Sequence, residues 1–158
     1  MAIIIEDGTL ITDANCYATE AELVAYALAR GVTLVTGAEE LLIKAMDYIE
    51  AQPFKGSTLS YDQELQWPRY EVMIDGYAWP STLIPKQLKR GLLECAIQID
   101  AGNNPLDNID RATKSEKLGD LEVEYMDSAK DTITLTAVDS ALKKLVKSAS
   151  FIVPLMRA

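Results

Sequence analysis

Apolar positions recur at helical spacing in four stretches of the chain, separated by segments where that period is lost. Thr19-Glu20-Ala21-Glu22 forms a capping box that predicts a helix to about Arg30, with Leu23, Val24, Ala27 and Leu28 on one inward stripe and Gly31 as its stop. Thr36-Gly37-Ala38-Glu39 is a second box, predicting a helix to about Ala51 that buries Leu41, Leu42, Ala45, Tyr48 and Ile49 before Pro53 ends it. Pro85 suits the first turn of a third helix whose Leu88, Leu92, Cys95 and Ile99 share a face, closed by Gly102. Thr136 with Asp139 predicts a cap for a fourth, with Val138, Leu142, Leu145 and Ala149 inward and Lys143, Lys144 and Lys147 outward.

Between the third and fourth helical patterns the period changes from 3.6 to 2. Lys114-Ser-Glu-Lys-Leu-Gly-Asp-Leu-Glu-Val-Glu-Tyr125 reads as a β-hairpin turning at Gly119-Asp120, an arm of about residues 113–126. Leu118 then faces Leu121, Lys117 faces Glu122, Glu116 faces Val123 and Lys114 faces Tyr125. Leu118, Leu121, Val123 and Tyr125 share one face. A lone two-stranded ribbon is marginal in water, so that face is expected to dock on the body of the protein or on another chain.

Two stretches carry no helical period. Residues 53–84 hold Trp67-Pro68-Arg69, the turn signal Asp75-Gly76 and Trp79-Pro80, predicting a long ordered loop with a short helix near Ser60–Gln66. The end of the chain, Phe151-Ile152-Val153-Pro154-Leu155-Met156, is apolar where termini are usually polar and frayed, which marks Phe151, Ile152, Val153, Leu155 and Met156 as contact candidates. The expected architecture is a mainly α single domain over 1–158. It comprises about four main helices, a protruding hairpin and an extended C-terminal tail that follows a helix starting near 137.

Composition adds four constraints. With 158 residues, 49% hydrophobic and 25% charged, the chain has enough apolar surface for one core. Ile3-Ile4-Ile5 is too short for a signal peptide and no apolar run reaches the ~20 residues of a bilayer span, so no membrane role is expected. Cys16 and Cys95 have no metal-ligand spacing, and a buried free thiol is the reading for Cys95. The net charge of −9 is uneven: residues 1–52 hold nine acids and two bases, whereas 128–158 hold five bases and two acids. Such polarity suits head-to-tail contacts between copies, and a solvated mixed surface gives the same count.

Chemistry is conspicuous by its missing parts. There is no histidine, which removes the commonest general base and most zinc sites. Gly31 and Gly37 lack P-loop spacing, and a calcium loop begun at Asp13 would put Ala18 and Val24 where glycine and glutamate are required. Glu20/Glu22 and Glu39/Glu40 lie in first helical turns, where the helix dipole accounts for them. No enzyme activity, cofactor or metal is expected. Single-stranded nucleic acid is the alternative ligand, because Tyr61, Trp67, Tyr70, Tyr77 and Trp79 lie close together and aromatic rings stack bases. Against it, residues 53–79 bring only Lys55 and Arg69 to face Asp62, Glu64, Glu71 and Asp75.

Glu6-Asp7-Gly8-Thr9, Ala14-Asn15-Cys16-Tyr17, Gln66-Trp67-Pro68-Arg69, Ile84-Pro85 and the hairpin segment occur in an order that resembles the tailed-phage head–tail adaptor (connector, head-completion) family over about residues 3–148. Members of that family are often labelled DnaT-like single-stranded-DNA-binding proteins. The resemblance implies a helical subunit that assembles with itself as a ring, generally twelve-fold, between the portal protein and a downstream connector or tail protein. Double-stranded DNA would pass through the ring without specific binding. The implied location is the virion neck, with the host cytoplasm as the place of assembly. On that reading Leu118, Leu121, Val123 and Tyr125 are the subunit interface, and Phe151, Ile152, Val153, Leu155 and Met156 are the portal or connector contact. The alternative is a DnaT-like replication accessory protein that binds single strands. Cys16 stands where the family usually has serine, and the tail beyond about Ser148 lies outside the resemblance.

Overall fold

A computed structural model describes residues 2–106, 115–118, 121–124 and 135–147, the two hairpin strands as backbone alone. Helices α1 (Glu20–Leu28), α2 (Ala38–Glu50), α3 (Lys86–Asp100) and α4 (Thr136–Leu142) form the core, with α3 packed against all three others. The helical period of the sequence is met: Leu41, Leu42, Ala45 and Ile49 of α2, Leu88, Leu92, Cys95 and Ala96 of α3 and Val138 and Leu142 of α4 belong to one buried cluster. Gly91 lies on α3 under the Leu142 side chain, whose Cδ2 sits 2.7 Å from where a Cβ would be, so the absence of a side chain lets α4 approach closely.

Three antiparallel pairs of short strands complete the described residues. β1 (Ser57–Thr58) pairs with β2 (Arg69–Tyr70), and β3 (Met73–Ile74) pairs with β4 (Tyr77–Ala78) across Asp75-Gly76. Both residues of this turn signal have positive φ, 52° and 85°, as an Asp-Gly hairpin turn requires. β5 (Ser115–Leu118) and β6 (Leu121–Glu124) pair Leu118 with Leu121, Lys117 with Glu122 and Glu116 with Val123, the register read from the sequence.

Four expectations need correcting. On α1 only Leu23 and Ala27 are buried, while Val24 is 43% and Leu28 65% exposed, because the helix meets its neighbours along a narrower stripe than its apolar content suggests. The second capping box does not form. Gly37 occupies the cap position of α2, and the Asp100 carboxylate at the end of α3 instead accepts the N–H groups of Val35 and Thr36, each at 2.9 Å. α4 likewise has Leu135 rather than Thr136 at its cap, with no side-chain cap bond, and it ends at Leu142, so Leu145 is buried from the turn that follows and Ala149 lies outside the described residues. No helix forms near Ser60–Gln66. The Gln63 side chain takes the N–H groups of Leu59 and Ser60 and donates to the carbonyls of Leu65 and Pro68, replacing helical hydrogen bonds with side-chain ones.

Candidate interaction surface

The long loop between α2 and α3 is held by polar groups from distant segments. Tyr17, fully buried, donates its hydroxyl to Glu50 Oε1 at 2.6 Å and accepts the Trp67 N–H at 3.0 Å. Glu50 Oε2 accepts the Gln66 N–H at 2.7 Å, and the Gln66 amide donates to the Glu50 carbonyl. Burial pushes the Glu50 carboxyl above its usual range against the pull of these hydrogen bonds and of the nearby Arg69, and it pushes the Tyr17 phenol up strongly.

Arg69, itself buried, spreads its guanidinium over main-chain acceptors: Nε to the Lys55 carbonyl at 2.8 Å, Nη2 to the Gly56 carbonyl at 2.9 Å and Nη1 to the Gln66 carbonyl at 3.1 Å. Trp67 is 0% exposed and meets Phe54 edge-on at 5.9 Å between centroids. The Trp67-Pro68 peptide bond is cis. At the front of the chain Glu6 is another buried clamp, its carboxylate accepting the N–H groups of Gly8, Leu10 and Ile11 at 2.7–3.1 Å. Gly8, at φ 111°, lies against the Thr82 carbonyl with no room for a Cβ.

The five clustered aromatic rings therefore divide. Trp67 belongs to the core, and half-buried Trp79 is anchored by its indole N–H to the Leu83 carbonyl at 2.8 Å. Tyr61, Tyr70 and Tyr77 face solvent at 98%, 44% and 79% exposure. The tertiary structure brings a cation to this edge that linear charge counting assigns elsewhere: Lys144, just past α4, pairs with Asp75 at the β3–β4 tip at 2.5 Å, and Lys55 donates to the Lys144 carbonyl. The chain behind α4 lies along the loop, with Lys147 N–H on the Pro53 carbonyl and Lys55 N–H on the Leu145 carbonyl.

Of the residues singled out for contacts, Leu118, Leu121 and Val123 sit on β5 and β6 in the expected register, whereas Tyr125, Phe151, Ile152, Val153, Leu155 and Met156 lie outside the described residues. Cys16 and Cys95 are both buried free thiols, and burial raises both, Cys95 to about 12. Among the described residues no group of three or more His, Cys, Asp or Glu could hold a metal, and no helix is long and apolar enough to cross a membrane. Sequence reasoning missed the outward apolar face of α1, although Ala21, Val24, Ala25 and Leu28 already stood at i, i+3, i+4 and i+7. It also missed Lys144 beside Asp75, for which a separation of 69 positions leaves no local signal.

The fold and surface define a class: a small helical protein whose polar motifs hold its own loops in place. The family whose model matches residues 1–158 is described as Putative DnaT-like ssDNA binding protein, and the chain belongs to it. No curated protein and no solved structure matches the chain.

Proposed function

We propose that this chain is a non-enzymatic structural adaptor that assembles as a ring in a phage head–tail connector, between the portal and the next connector or tail protein. The observation that carries the reading is how the Trp67-Pro68-Arg69 segment is used. The ring and the guanidinium that would serve a nucleic-acid strand are turned inward, on Phe54 and on main-chain carbonyls. What remains outside is a surface of a protein with net charge −9, which repels phosphate and suits a channel through which duplex DNA must slide. The adaptor resemblance of the ordered motifs points the same way.

Single-strand binding is the second reading. The description of the family favours it, and so do exposed Tyr61, Tyr70 and Tyr77 with Lys55 and Lys144 close to the Asp75 turn. Titration of the full chain with a fluorescent single-stranded oligonucleotide across a salt series separates the two. The adaptor reading expects no binding near physiological salt. Sub-micromolar affinity that falls steeply with salt, and that drops by ~1–3 kcal/mol per ring in Tyr70→Ala and Tyr77→Ala, would replace it with the second reading.

A further inference from the structure

α2 and α4 both pack on α3, and their backbones do not meet. An open groove of about 490 Å³ lies between the end of α2 and the side of α4, walled by Gln52, Thr136, Ser140, Lys143 and Val146. Thr136, Ser140 and Lys143 stand at i, i+4 and i+7, one face of α4. All three are exposed, so among the described residues nothing covers this face.

The chain is aimed at this groove as it leaves α4. Val146 pairs antiparallel with Phe54, with the Lys55 N–H on the Leu145 carbonyl and the Lys147 N–H on the Pro53 carbonyl, each at 2.8 Å. That register sets Lys147 beside Pro53 and turns the next position, 148, toward Gln52, the wall of the groove. The residues that follow, Ser148-Ala149-Ser150-Phe151, lie outside the described residues and comprise three small side chains and a ring. From Lys147 to Phe151 an extended chain reaches about 13 Å at ~3.3 Å per residue. From Val146 back to Thr136 the helix and its last turn measure about 15 Å at ~1.5 Å per residue.

We propose that residues 148–151 fill the α4 groove of their own subunit. The small residues suit a face of hydroxyls and an amide, and the ring arrives near half-buried Tyr48, whose hydroxyl reaches Asp139 at 3.4 Å. Tethering selects this occupant over a second copy: a segment joined directly to the groove wall faces it at an effective concentration of about mM. The base of the tail is then held, and Ile152, Val153, Leu155 and Met156 are presented at the Thr136 end of α4 instead of directly behind Lys147. Phe151 belongs to its own subunit, whatever partner the remaining apolar residues take.

The test is disulfide trapping in the purified full chain. Ser140→Cys with Ser150→Cys places one thiol on the groove face and one in the tail, and Ser140→Cys with Ala158→Cys is the control. Cys16 and Cys95 are buried and do not compete, and circular dichroism confirms the fold of each variant. A tail with no preferred place would close the two pairs at rates within about threefold of each other, as loop length dictates. The docked tail is expected to close 140 with 150 more than about tenfold faster than 140 with 158, at a rate independent of protein concentration. Phe151→Asp, added to Ser140→Cys alone, is expected to raise the reactivity of the exposed thiol toward a disulfide reagent several-fold, although a nearby carboxylate by itself would lower it.

Closure rates that follow loop length alone, or a thiol indifferent to Phe151→Asp, would overturn the proposal. Covalent dimers that grow with protein concentration would place the tail of a second copy in the groove and overturn it equally. Each measurement is made on the isolated chain, whereas incorporation into particles judges the adaptor reading, so either can fail without the other.

Discussion

Tyr17 links three parts of the chain through one oxygen. Its hydroxyl gives a hydrogen to Glu50 and takes one from the Trp67 main chain, so Tyr17→Phe removes both bonds and leaves a buried N–H without its partner. The expected loss is about 1–3 kcal/mol of unfolding free energy, read by urea denaturation at neutral pH. Trp67→Ala empties the largest fully buried side chain and is expected to cost about 3–5 kcal/mol, with no change in oligonucleotide binding. A variant of normal stability would show that the ring contributes to a surface rather than to the core.

At the scale of elements, the start of α2 is held by a residue at the end of α3. The Val35 and Thr36 N–H groups hold the Asp100 carboxyl below its ordinary value, so the ionised form is favoured in the folded protein. Its contribution is present above the unfolded value near 3.8 and is lost as pH falls through the depressed folded one. Asp100→Ala is expected to flatten the acid limb of stability between about pH 5 and pH 2 in denaturation series. Glu50 acts with the opposite sign, since its raised carboxyl favours the protonated folded form and its contribution declines as pH rises above about 4.5. An Asp100→Ala curve parallel to the wild type would show that the Asp100 carboxylate does not hold the segment before α2. The same scale explains Arg69, whose fork closes the β1–β2 turn from inside; Arg69→Lys cannot reach three carbonyls and should loosen residues 55–70 in hydrogen exchange.

For the whole molecule, the adaptor reading makes the hairpin and the tail responsible for contacts outside the subunit. Leu121→Asp with Val123→Asp is expected to stop ring formation on portals while leaving far-ultraviolet circular dichroism unchanged, because α1 to α4 draw their stability from their own buried stripes. A double variant that unfolds would assign the hairpin to the core of its own subunit. Removal of residues 150–158, with Phe151, Ile152, Val153, Leu155 and Met156, should leave a folded chain that no longer joins its portal or next connector. Each such anchor is worth about 1.5–3 kcal/mol when buried, and repetition round a ring multiplies the effect. Normal incorporation into particles would exclude the tail from assembly.

The sequence by itself determined the helical class, the inward faces of α2, α3 and α4, the Asp75-Gly76 turn and the register of β5 with β6. These depend on periods of 3.6 and 2 and on turn residues, all of which act over a few positions. Tertiary structure decided what each polar residue is used for. Asp100 holds the segment that enters a helix 64 residues away, the Gln63 side chain displaces a predicted helical turn, and Glu6, Tyr17 and Arg69 place their hydrogen bonds on loops brought beside them by folding. The outward face of α1 was written in the spacing of Ala21, Val24, Ala25 and Leu28, yet a helix apolar on two sides does not reveal which side the core will take. That choice belongs to the packing of α2 and α3, whose larger apolar faces meet each other and leave α1 only a narrow seam.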